Sequence, residues 1–88
     1  MSKNIDRTTA IHEYAVAYRA RLGAEQARLG AVWTPGYPAA ARTAHEAWIA
    51  CEAAERAFVA AGFDAFAAYC VRAGVEYGAE AEINEVSA

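Results

Sequence analysis

The stretch VWTPGYP, residues 32–38, contains both prolines of the chain, one of its two tryptophans and one of its five tyrosines. No helix runs through Pro35 undisturbed, because proline lacks the amide proton and its ring clashes with the preceding turn. The segment therefore divides the sequence. Thr34 to Tyr37 reads as a β-turn, with Pro35 at its second position and Gly36 at its third, where a type II turn requires a positive φ. Pro38 fits the first position of a following helix, which needs no amide donor there. These roles account for Pro35, Gly36 and Pro38 and leave Trp33 and Tyr37 over. Either the two rings fold back over the end of the neighbouring helices, or they stand in solvent as rigid anchors for a partner.

Upstream, Ile11, Tyr14, Ala15, Tyr18, Leu22, Leu29 and Val32 recur at spacings that trace one face of a helix over about residues 8–30. Asp6, Thr8 or Thr9 can cap its start and Gly30 sits near its end. Gly23, unfavourable inside a helix, suggests a close crossing by another helix. Downstream, Ala41, Ala44, Trp48, Cys51, Glu55 and Phe58 form a stripe of a second helix over 38–61, flanked by Ile49 and Val59. Glu52 and Arg56 make a favourable pair on its outside. Gly62 ends it, and Asp64 caps a third helix over 65–78 with Phe66, Tyr69, Cys70, Ala73 and Tyr77 on its inner face. Glu76 and Glu80 repel one another near a helix end that prefers cations, so weakening is expected after Gly78. No alternating pattern supports a strand. The reading is an all-α chain: a small antiparallel three-helix bundle, alanine-rich, with a frayed acidic C-terminus and a single helical domain over 1–88.

Composition sharpens this picture. Of the 88 residues 25 are alanine and only two are leucine, so the core must come from closely approaching helices wedged with aromatics. Self-association would bury more, and the small residues Cys70, Gly74 and Gly78 offer a surface for a homodimer. The net charge of −3 is unevenly spread, with an excess of Lys and Arg over residues 1–42 and of Asp and Glu over 43–88. The opening MSKNIDRTTAI lacks the apolar core of a secretory signal, and no run approaches the ~20 apolar residues of a membrane span. A cytoplasmic protein without membrane contact is expected.

Chemistry-bearing patterns are incomplete. Each His-Glu dipeptide, His12-Glu13 and His45-Glu46, lacks the second histidine that would make a zinc-binding helix, since Val16 and Ile49 occupy that place. Cys51 and Cys70 stand too far out of register along neighbouring helices to pair, and both read as buried thiols. LGAEQARLG lies inside a helical pattern and makes no phosphate loop. No catalytic residue, metal ligand or cofactor is assigned, and the chain reads as a non-enzyme.

Three surfaces remain. Trp33 and Tyr37 form one; the acids Glu76, Glu80, Glu82 and Glu85 form a second, suited to a basic partner. The third is the basic stripe Lys3, Arg7, Arg21 and Arg28 on the first helix, suited to a phosphate backbone. The leading expectation is an interaction protein that binds and inhibits or regulates a larger protein through Trp33, Tyr37, Glu76, Glu80, Glu82 and Glu85. Phage-borne inhibitors of host defence, anti-CRISPR proteins among them, are one population of small acidic helical proteins of this kind, and such an inhibitor would cover a basic nucleic-acid-binding surface. The alternative is a small nucleic-acid-binding regulator that uses the basic stripe.

Overall fold

The computed structural model describes the backbone of residues 3–77 and the side chains of residues 7–77. They form three helices, α1 at Lys3–Gly30, α2 at Tyr37–Ala60 and α3 at Ala65–Glu76, with no strand among the described residues. The helix bounds lie close to those expected, with instructive differences. α1 begins at Lys3, so Asp6, Thr8 and Thr9 lie within the helix instead of capping it. No glycine or proline interrupts this first stretch, and Ala10 and Ile11 at its end are buried, so packing supports a longer helix than the capping signals suggest. α3 ends at Glu76 with Tyr77 as its C-cap; Gly78 and the weakening expected beyond it lie outside the described residues.

The first interhelix connection corrects the turn assignment. Tyr37 N–H donates to the Thr34 carbonyl at 3.2 Å, closing the expected four-residue turn. Gly36, however, has φ −81° and ψ −3°, the third position of a type I turn. The reason is the helix that follows: Gly36 is the N-cap of α2, and its carbonyl accepts the Ala40 N–H at 3.1 Å. The positive φ falls earlier, on Trp33, at 67°. There the Thr34 N–H reaches back to the Ala31 carbonyl at 2.9 Å, so α1 is closed off by a turn with tryptophan at its left-handed position. Thr34 stabilises both turns, its hydroxyl donating to the Ala31 carbonyl and accepting from the Gly36 N–H.

The second connection follows the sequence reading. Gly62 takes φ 105°, a conformation glycine adopts without the steric cost of a Cβ, and terminates α2. The Asp64 carboxylate then accepts the Ala67 N–H at 2.9 Å and starts α3.

The core is aromatic where an alanine-rich chain needs it to be. Tyr14 and Phe58 are its largest fully buried side chains. Tyr14 packs on Phe58 with ring centroids 5.0 Å apart, Phe58 stacks on Phe63 at 4.3 Å, and the Arg7 guanidinium closes the row 4.4 Å above the Phe63 ring. Ala10, Ile11, Ala15, Tyr18, Cys51, Ala68, Val71 and Val75 surround this row. Contacts between α1 and α2 pair falling numbers with rising ones: Arg28 with Tyr37, Arg21 with Trp48, Tyr14 with Phe58. Contacts between α1 and α3 rise together, with Arg72 Nη1 donating to the Tyr14 hydroxyl at 2.7 Å and the Tyr18 hydroxyl donating to Glu76 Oε2 at 2.6 Å. Arg72 also lies 3.9 Å from Glu55, so this α3 guanidinium touches side chains of both other helices.

Three expectations about packing are overturned. α3 does not bury Phe66, Tyr69, Cys70, Ala73 and Tyr77; it buries Ala68, Val71 and Val75, and the three aromatics and Cys70 are exposed. The space beside α1 is already filled by Tyr14, Tyr18 and Phe58, so the helix laid against it contributes small side chains at close-packed density. Leu29 and Val32, placed on the inner face of the first helix, are exposed as well. Finally, no atom of another helix lies within 4 Å of where a Cβ would stand on Gly23, which marks no helix crossing.

Candidate interaction surface

The turn between α1 and α2 holds Trp33 away from the rest of the chain. Its side chain is 98% exposed, and its φ of 67° lies in the left-handed region, which costs a residue with a Cβ of the order of 1 kcal/mol. Nothing in the local packing offsets that cost. Leu29 and Val32, close to it in sequence, are exposed as well. Tyr37, the other residue singled out with Trp33, is different. It is half-buried at the start of α2, and its hydroxyl accepts a 3.4 Å hydrogen bond from Arg28 Nη1. The structure thus separates the pair: Tyr37 is tied to α1 and Trp33 is free in solvent.

Each described member of the basic stripe is engaged within the molecule. Arg7 covers Phe63, and Arg21 lies 3.5 Å over the Trp48 ring and 5.4 Å from that of Tyr18. Arg28 forms a two-pronged pair with Glu25, its Nε and Nη2 each 3.1 Å from a carboxylate oxygen. These hydrogen bonds hold the Glu25 carboxyl below its ordinary range, and Arg28 is pushed further up by the same carboxylate and by Tyr37. Tyr14, which lies in line with the stripe, is core. The side chain of Lys3 lies outside the described residues.

Of the acidic set, Glu76 is an exposed residue whose carboxylate receives the Tyr18 hydroxyl, while Glu80, Glu82 and Glu85 lie outside the described residues. Burial raises the Tyr18 phenol above its ordinary 10.0, and the hydrogen bond to Glu76 adds to this. Tyr14 is raised as well, chiefly by burial, with the Arg72 hydrogen bond pulling the other way.

His12 and His45 are both exposed, on α1 and α2 respectively, and no group of three His, Cys, Asp or Glu side chains with metal-binding proximity occurs among the described residues. Cys51 is buried as expected, whereas Cys70 is exposed because α3 turns that face to solvent; both are free thiols. An open depression of about 370 Å³ lies on α2 beside Glu52, Glu55, Arg56 and Val59, without walls to enclose a ligand. Among the described residues no helix is long and apolar enough to cross a membrane.

Two surface features escaped the sequence reading: the exposure of Leu29 and Val32 beside Trp33, and the aromatic outer face of α3. The second carried a signal, because Ala68, Val71 and Val75 recur at helical spacing on the side opposite Phe66, Tyr69 and Tyr77. No protein-family model matches the chain, and no match was found among curated proteins or among solved structures.

Proposed function

We propose that this chain is a non-enzymatic interaction protein that binds a larger protein through the end of its α1–α2 pair and thereby inhibits or regulates it. One observation carries the reading: Trp33 is 98% exposed on a backbone conformation that disfavours a side chain. An exposed tryptophan held in that way contributes nothing to folding, and large rigid aromatics on fixed turns are the residues that anchor protein interfaces. Leu29 and Val32 extend the anchor. The scaffold that carries it is an antiparallel three-helix bundle, a reading supported by the opposed numbering of the α1–α2 contacts.

The inhibitor version belongs to the same proposal. Glu80, Glu82 and Glu85, with Glu76, would meet a basic nucleic-acid-binding surface of the partner in the cytoplasm, as a phage-borne anti-CRISPR-like inhibitor does. The competing regulator, which binds nucleic acid through Arg7, Arg21 and Arg28, is less well supported because those guanidinium groups stack on aromatics or pair with Glu25.

Capture from the native host, quantified by mass spectrometry with wild type and Trp33→Ala as paired baits, tests the reading. A protein enriched by wild type and reduced about tenfold or more with the variant is the expected result; equal enrichment of every captured protein contradicts it. Charge reversal at Glu80 and Glu82 should weaken binding to that partner and flatten its salt dependence. A low-salt gel shift that appears with DNA or RNA and fades as salt is added would favour the regulator instead.

A further inference from the structure

The aromatic row at the centre of the molecule is complete without α3. Tyr14 comes from α1, Phe58 from α2 and Phe63 from the connection behind it, and Arg7 of α1 closes the row above Phe63. Phe63, stacked at 4.3 Å on the fully buried Phe58, therefore pins the chain to the α1–α2 pair up to that residue. Asp64 belongs to the other side. Its carboxylate caps α3 through the Ala67 N–H, and its carbonyl accepts the Ala68 N–H at 3.1 Å, so the start of α3 travels with the helix.

The seat of α3 on the rest of the molecule is made of small side chains. The helix rests mainly on α1, burying Ala68, Val71 and Val75, while Phe66, Tyr69 and Tyr77 stay outside. Two hydrogen bonds complete the seat, from Arg72 to the Tyr14 hydroxyl at 2.7 Å and from the Tyr18 hydroxyl to Glu76 at 2.6 Å. They stand one helical turn apart on both helices, and each involves an ionised group, which makes them the stronger kind of hydrogen bond. A helix of 12 residues is marginal by itself, so loss of the seat melts α3.

We propose that α3 is a latched flap: it opens as one unit between Phe63 and Asp64, with the Tyr14–Arg72 and Tyr18–Glu76 contacts as its latch, while the α1–α2 pair stays folded. Opening takes Arg72 and Glu76 away from the two hydroxyls and bares the side of α1 that the small residues cover. The stack of Phe58 on Phe63 remains closed. The Trp33 end is untouched, because Tyr18 lies about 18 Å of helix before Gly30 at ~1.5 Å per residue.

Native-state amide hydrogen exchange in rising, sub-denaturing urea tests this. Amides of residues 68–76 should exchange at least about tenfold faster than the most protected amides of α1 and α2, with a weaker urea dependence, because opening one helix exposes less surface than global unfolding. Two substitutions separate a flap from a single cooperative unit. Ala44 is buried in α2, apart from the cluster in which Ala68, Val71 and Val75 pack, and so bears on the α1–α2 pair. Ala44→Gly should speed the protected α1 and α2 amides about fivefold and leave residues 68–76 unchanged. Tyr18→Phe, which deletes only the hydroxyl, should speed residues 68–76 about two- to tenfold with helical circular dichroism unchanged. Exchange of all three helices at one rate with one urea dependence overturns the inference, as does an Ala44→Gly effect that reaches residues 68–76 in equal measure. Unchanged exchange of residues 68–76 in Tyr18→Phe overturns the latch.

Discussion

Trp33 sets the pattern at the scale of single residues. Its left-handed φ and near-complete exposure mean that folding gains little from the indole and bears the strain of its backbone. Trp33→Gly should therefore raise the unfolding free energy by roughly 0.5–1 kcal/mol, read as a higher urea midpoint, even though it deletes one of the largest side chains in the protein. A lower midpoint would mean that the ring supports the fold. Phe58 is the opposite case, a ring with no exposure between Tyr14 and Phe63, and Phe58→Ala should cost about 3–5 kcal/mol and leave a chain of this size largely unfolded by circular dichroism. Tyr14 and Tyr18 supply a pH signature. Both phenols are raised above 10.0 in the folded state, so the folded form holds its protons more tightly than the unfolded one. Their contribution is complete below pH 10 and is lost as pH rises through the folded values. Melting temperature should accordingly fall with pH above about 10, and tyrosinate absorbance should show two of the tyrosines titrating late. Ionisation of Tyr14 and Tyr18 at or below their ordinary 10.0 would contradict that placement.

At the scale of the element, helix boundaries were more legible than helix faces. Gly62 and Asp64 set the α2–α3 break by local chemistry, and both behave as that chemistry requires. Asp64→Ala should cost about 1 kcal/mol through loss of the Ala67 hydrogen bond, measurable by chemical denaturation. Proline likewise located the α1–α2 break, but not its turn type. Pro35 suits types I and II equally, and the choice was made by the next element, which needs Gly36 in helical conformation as its N-cap. On α3, side-chain size is no guide to burial. Tyr14, Tyr18 and Phe58 arrive from other helices and fill the available volume, so α3 is seated on Ala68, Val71 and Val75 and its own aromatics are left outside. A single helix cannot reveal how much space its neighbours have taken. Of the candidate site, Trp33 was identifiable because proline and glycine absorbed the structural duties around it. Tyr37 was indistinguishable from it until the Arg28 contact separated them.

For the whole molecule, the same scarcity of large aliphatic residues explains both the core and the surface. With only two leucines, the chain concentrates Tyr14, Phe58 and Phe63 in one row through the interior and leaves Trp33, Phe66, Tyr69 and Tyr77 exposed, with Trp48 of α2 partly covered by Arg21. A protein that small, with so much apolar surface exposed, gains from being covered. A role for this end of the molecule in binding requires that Trp33 become buried when the partner binds. Trp48→Phe leaves Trp33 as the sole tryptophan, and its fluorescence can be followed as the captured partner, with its own tryptophans replaced by non-fluorescent analogues, is titrated in. Solvent-like emission is expected in the free protein, with a blue shift and protection from acrylamide quenching in the complex; a complex that forms while Trp33 emission and quenching stay unchanged would rule out Trp33 as the anchor.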